Sequence, residues 1–375
     1  MGVRTRSRKA RRMAYLALCI VLPAVGAATA SDGGTFPAEL AAELDALVAE
    51  YMARGLTPGI AVGVRIGDAR WVRAYGAADA ETGAPLTIAS SFYIGSLTKQ
   101  MTAAAILRLV EEGRLSLEQT VDSILDDVPE AWAGITIHHL LTHTAGIKSY
   151  GSLPYDLGEG ALPSRALVGF IAAVDPVYAP GEGYLYSSAD YAILGYAIER
   201  RSGLPFGGFL DLHLFRPLGM SDSGFWVDDR PEDLVVGHSV YVDGAATFIP
   251  SVNVSAGLGA ACVHSTVDDL LTWQEGLVCG RVVSPASYVL MTTPATIDPP
   301  DGPVETINYG YGLELDVGPN ERPIAVWHGG GNGGQISYIW WMADRDVAFV
   351  VLQNSDGLYY ELLESIKRVL IGCSE

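Results

Sequence analysis

Lysine is scarce in this chain of 375 residues, which holds only Lys9, Lys99, Lys148 and Lys367. Cysteine is equally rare, with four in all (Cys19, Cys262, Cys279 and Cys373) and none in a Cys-x-x-Cys pair. That excludes a disulfide framework and a thiol-based zinc or redox motif, leaving one bridge, Cys262–Cys279, open in an oxidising compartment. Positive charge is in deficit: 24 Lys and Arg face 43 Asp and Glu, for a net charge of −19. Such a chain repels polyanions, so nucleic acid and anionic membrane are not its partners. There is no Gly-x-Ser-x-Gly elbow and no P-loop, which argues against an α/β-hydrolase and a nucleotide-binding enzyme. No apolar run reaches the roughly 20 residues of a membrane span.

What positive charge there is crowds the N-terminus. Residues 1–30 carry Arg4, Arg6, Arg8, Lys9, Arg11 and Arg12 with no acid, followed by an apolar stretch broken by Pro23 and Gly26 and then Ala28-Thr29-Ala30. Basic, apolar and small-residue segments in that order predict a secretory signal, cut after Ala30. The Arg11-Arg12 pair leaves twin-arginine export open. The expected mature chain, 31–375, is an exported protein with a net charge of −25 and no stable membrane span. It is long enough for a sizeable core in two lobes.

Apolar residues Leu40, Leu44, Leu47, Val48 and Tyr51 recur at helical spacing and predict an amphipathic helix ended by Gly55. Strands over 60–66 and 70–75 follow, joined by Gly67-Asp68. From Ser96 the pattern turns helical, with helices over 96–112, 137–143, 165–174 and 189–201 and a further one capped at Ser265-Thr266. Strands return at 324–327, 336–342 and 347–352, and a helix over 358–370 closes the chain. The expected fold is therefore α/β in the α+β sense. An antiparallel sheet lobe (about 36–95 and 300–375) is flanked by the N- and C-terminal helices, and a mainly helical lobe (about 96–299) is inserted between them.

Ser96-Leu97-Thr98-Lys99 stands at the head of the first inserted helix, and Lys99 is the sole lysine preceded by a serine three positions back. Positions i and i+3 share a helix face, so a buried Lys99 with a depressed pKa can take the Ser96 proton. Most four-residue matches of this kind are only a capping serine near a surface lysine. Tyr186-Ser187-Ser188 precedes another helix, and Tyr186 is a candidate proton relay if neighbouring cations lower its pKa. Its bland alternative is a helix cap with a packed aromatic. His328-Gly329-Gly330-Gly331-Asn332 follows a strand and precedes another, so its Gly-x-Gly-x-x-Gly match does not open a helix and is not a dinucleotide fingerprint. Glycines there let substrate reach the backbone and offer N–H groups to an oxyanion; the plain reading is a hairpin loop. His138, His139 and His143 have a metal-like spacing, yet Leu140 and Leu141 between them favour a core or capping role.

With these segments in place the chain resembles the serine β-lactamase and penicillin-binding superfamily, in the branch of class C β-lactamases, D,D-carboxypeptidases and related esterases. Three motifs occur in the family's order: Ser96 with Lys99, Tyr186 with Ser188, and His328 with Gly330. Leu140-Leu141-Thr142-His143-Thr144-Ala145-Gly146, Pro217-Leu218-Gly219-Met220 and Ser265-Thr266 before Asp269-Leu270 match as well. The resemblance implies a two-lobed β-lactamase-like fold and acyl transfer without metal or organic cofactor. Ser96 is the implied nucleophile, with Lys99 and Tyr186 sharing the general-base task. The N–H groups of Ser96 and Gly331 would hold the oxyanion, and Ser188, His328 and Gly330 would contact substrate. Ser188 replaces the usual asparagine, His328 a common lysine, and Gly329 a common threonine. Those departures shift the expected substrate from β-lactams toward an ester, a D-amino-acid peptide or a peptidoglycan-like peptide. A penicillin-binding sensor with little turnover is the competing expectation.

Overall fold

A computed structural model describes residues 35–126, 128–149, 162–225, 233–240, 246–248, 257–320, 322–357 and 360–372. The expected signal segment, 1–30, and Cys373 lie outside the described residues. Residues from both ends of the described chain build one six-stranded antiparallel sheet. Its strands are β1 (Gly59–Ile66), β2 (Ala69–Gly76), β3 (Glu314–Val317), β4 (Pro323–Asn332), β5 (Gln335–Met342) and β6 (Val347–Gln353), in the spatial order β3-β4-β5-β6-β1-β2. β6 is buried along its whole length, as a central strand covered on both faces must be. It pairs with β1 in the register Ile60↔Gln353 to Ile66↔Val347, which joins the two ends of the fold.

Side chains alternate across the sheet and so feed two cores. Ile60, Val62 and Val64 of β1, with Tyr338, Trp340, Phe349 and Val351, face helices α1 (Ala38–Ala53) and α5 (Tyr360–Ile371) through Leu44, Val48, Leu363 and Ile366. The opposite face, with Ile339, Trp341, Val350 and Leu352, packs on α2 (Thr98–Glu111) and α4 (Val267–Val278) through Met101, Leu270 and Leu271. Helix α3 (Ser188–Ser202) packs in that second core through Ala192, Ile193 and Leu194. The left-handed Gly203 ends it, as the sequence predicts. Helix α2 is buried nearly all round, so tertiary packing holds it more than amphipathic patterning does.

Three features differ from the sequence reading. The helix expected to begin at Ser96 begins at Thr98, because Gly95–Leu97 form a separate 3₁₀ turn. Within the mainly helical inserted segment one short strand goes unread in the sequence: Val263–Ser265 pairs with Phe92–Tyr93 and with Gly224–Phe225, strands too short for an alternation signal. The glycine-rich stretch His328–Asn332 is strand, not loop, and the hairpin turns instead on Gly333 and Gly334, both at positive φ. The Cys262–Cys279 bridge is absent and both thiols are free. Cys262 is buried and Cys279 is exposed, with helix α4 between them in the chain.

Strand β4 continues past its neighbour β3 and runs against the Gly95–Leu97 turn. A side chain at Gly330 would put its Cβ 2.1 Å from the Ile94 carbonyl oxygen and 2.9 Å from the Ser96 nitrogen. Glycine is thus required by close backbone approach. Gly330→Ala is expected to cost about 2–3 kcal/mol of overpacking and to push β4 off the serine turn. Melting and esterase assays on the purified variant check this; an unchanged melting temperature and unchanged activity would contradict it.

Candidate active site

The turn, α2, the loop before α3 and strand β4 meet at the edge of the sheet. Ser96 sits on the exposed side of the 3₁₀ turn, and one helical step later Lys99 points back toward it. Lys99 Nζ donates to Ser96 Oγ at 3.0 Å and to the Ala260 carbonyl at 3.1 Å. Its side chain is fully buried. Burial pushes the ammonium down to about 7, against an opposing pull from Asp190. At neutral pH a large fraction of Lys99 is therefore free amine, which can accept a proton from the serine it touches.

Tyr186 closes the third side. Lys99 Nζ lies 4.8 Å from its ring centroid, and Tyr186 lines the same cleft as Ser96. The sequence reading has neighbouring cations lowering the Tyr186 pKa; the structure has it raised. Desolvation outweighs the lowering influence of Ser96, and Glu314 adds to the rise. Tyr186 thus stays a phenol and can relay a proton without becoming a standing phenolate.

His328 is 3% exposed, and burial followed by Lys99 drives its pKa to about 3, so the imidazole is neutral. Its Nδ1–H donates to the Gly329 carbonyl at 2.6 Å, which leaves Nε2 to accept from the Tyr309 hydroxyl at 3.2 Å. Gly330 and Gly331 run along the serine turn: the Gly331 nitrogen would lie 2.5 Å from a Cβ placed on Gly95. Backbone N–H groups of Ser96 and Gly331 therefore belong to two segments in direct contact. Ser188 is the one sequence candidate not drawn in. It opens α3 half-buried and lies outside the cleft lining, while its neighbour Ser187 caps the helix by accepting the Ala189 N–H at 3.1 Å.

His143 takes the core role and His139 the capping role that the sequence reading allows, and His143 packs behind Tyr186. His139 completes a capping box with Thr136. His143, fully buried and in the left-handed region at φ 60°, lies 4.5 Å from the Tyr186 ring, 4.9 Å from Tyr309 and 5.1 Å from Tyr191. Its Nδ1 is 2.8 Å from Asp190 Oδ2. Burial lowers His143 and raises Asp190, so each favours its uncharged form and the pair shares a proton behind Tyr186. His143, Asp190 and Tyr309 were missed as site residues; the tyrosine-glycine alternation Tyr309-Gly310-Tyr311-Gly312 was the available signal.

A cleft of about 550 Å³ opens over Ser96, bounded by Tyr186, Glu314, His328 and Gly331. No helix among the described residues is long and apolar enough to cross a membrane. A serine held by a buried lysine, at the edge of an antiparallel sheet with helices on both faces, marks a serine hydrolase. The chain belongs to the Beta-lactamase family, whose model matches residues 44–366.

Among its relatives is penicillin-binding protein 4* of Bacillus subtilis (strain 168), 27% identical over 82% of this chain and 70% of that protein. Esterase EstB of Burkholderia gladioli is 33% identical over 64% of this chain and 70% of EstB. D-aminopeptidase of Brucella anthropi is 26% identical over 84% of this chain, which spans 59% of that enzyme. The octameric penicillin-binding protein homologue from Pyrococcus abyssi superposes with a TM-score of 0.76 at 26% identity, over 88% of this chain and 77% of that one.

Proposed function

We propose that this protein is an exported serine hydrolase that works through an acyl-enzyme on an ester or a D-amino-acid peptide, with β-lactams as poorer substrates. The observation that carries the reading is the 3.0 Å contact between Ser96 Oγ and a buried Lys99 poised near neutrality. Neutral Lys99 takes the Ser96 proton as Oγ bonds to the substrate carbonyl carbon. The oxyanion accepts from the Ser96 and Gly331 N–H groups. As the tetrahedral adduct collapses, the scissile bond breaks and the proton passes from Lys99 through the Tyr186 hydroxyl to the departing alkoxide or amine. Water, deprotonated by the same pair, then releases the acid and restores Ser96.

Two observations disfavour carboxylate-bearing β-lactams. His328 is uncharged where many relatives of the resembled family carry lysine, and the described cleft lining contains no arginine or lysine. The EstB and D-aminopeptidase relatives support the same substrate classes. Export rests on the basic-apolar-small order of residues 1–30. A screen of the mature protein against p-nitrophenyl esters, D-Ala-D-Ala peptides and a fluorescent penicillin tests the proposal. Ester or D-peptide turnover is expected. A stable penicillin adduct without turnover of anything would instead establish the sensor, and no reaction at all would overturn both.

A further inference from the structure

One carboxylate of the cleft has no part in the chemistry above. Glu314 begins β3 directly opposite Trp327, one residue before His328, where β3 stops and the glycine edge of β4 lies open. Its side chain lines the same cleft as Ser96, yet among the described residues the carboxylate has no hydrogen-bond or ion-pair partner. It is half-buried, and a half-buried anion without a partner is an unmet electrostatic demand. Trp327 and Tyr360 line the neighbouring wall, aromatic surfaces that favour a cation over an anion, whereas Tyr338 is buried and already has Lys367 Nζ 5.5 Å from its ring centroid. Asp356 lines the cleft too, and the chain as a whole carries −19. The charged side chains among the described residues lining the cleft, Glu314 and Asp356, are both acidic.

We propose that Glu314 is a specificity-determining residue and that the preferred substrate carries a cationic group, an ammonium or quaternary ammonium, which seats between the Glu314 carboxylate and the aromatic walls. This deepens the hydrolase reading and rests on it for turnover, though not for binding. The cation is held by charge and by the ring faces while the carbonyl lies over Ser96. A substrate carboxylate in the same place meets repulsion.

The probes are two p-nitrophenyl esters that differ at one atom: γ-trimethylammoniobutyrate and its isostere with a quaternary carbon in place of the nitrogen. Burial, with Asp316 adding to it, raises Glu314 to about 7, so the assay is run at about pH 8.5, where the carboxylate is ionised. The expected kcat/KM for the cationic ester exceeds that for the isostere by about tenfold. Glu314→Gln lowers that ratio at least about fivefold, and raising salt lowers it in the unaltered protein. A ratio near one, or a ratio that neither the substitution nor salt moves, overturns the proposal. If neither ester is cleaved, the hydrolase reading has failed by itself. Calorimetric binding of the two corresponding amides then decides: tighter, Glu314-dependent binding of the cationic amide supports the proposal, and equal or absent binding overturns it.

Discussion

Replacing Ser96 with alanine removes ester hydrolysis by a factor of about 10⁴ or more while the protein melts as before. The hydroxyl is in contact with Lys99 Nζ at 3.0 Å, and it opens on the cleft that Tyr186 also lines. It stands on a solvent-facing 3₁₀ turn whose packing comes from Gly95 and Leu97, both buried. Deleting one oxygen there leaves the core intact and takes away the atom that forms the covalent bond. Steady-state assays beside a thermal melt check both halves. Activity that survives unchanged would remove Ser96 from the chemistry and leave the cleft without a nucleophile.

Lys99→Ala is expected to slow acylation by about 10³, within the range for loss of a positioned general base. Lys148→Ala, at an exposed site, serves as the control for losing a lysine elsewhere. The pH dependence gives the sharper readout. Burial depresses Lys99 to about 7, so the fraction of free amine, and with it kcat/KM for an uncharged ester, rises as pH passes upward through that value and then levels. Below it Lys99 is an ammonium and cannot take the proton. The rising limb disappears in Lys99→Ala. A limb displaced to the ordinary lysine range would show that Lys99 is not desolvated in solution, and equal effects at Lys99 and Lys148 would remove the base.

The sheet was legible because its strands obey simple patterns. The runs 60–66 and 347–352 are mostly apolar and rich in valine and isoleucine, and 70–75 follows a Gly-Asp turn. Residues whose placement depends on contacts distant in the chain were harder. Glycines 329–331 carry no side chains to alternate, so their strand character comes only from pairing with Ile336, Ser337 and Tyr338. Ser96 and Lys99 could be found because their contact is local, three residues apart on adjoining turns. Tyr186 was found by motif order, but the sign of its pKa shift was not, since desolvation by the surrounding fold is invisible in a string of letters. His143 and Asp190 meet across 47 positions, and Glu314 joins the cleft only because β3 ends beside β4. Nothing local announces either. His143 also occupies positive φ, which histidine adopts more readily than most residues but still too seldom to be read from its letter.

The central claim is a covalent one, and mass spectrometry reads it directly. The mature protein is mixed with a bulky p-nitrophenyl ester, quenched in acid during turnover and digested. The account predicts a mass gain equal to the acyl group on the peptide containing Ser96, lost on further incubation and absent from Ser96→Ala. Product formation with no acylated peptide, or with the acyl group on another residue, would contradict it.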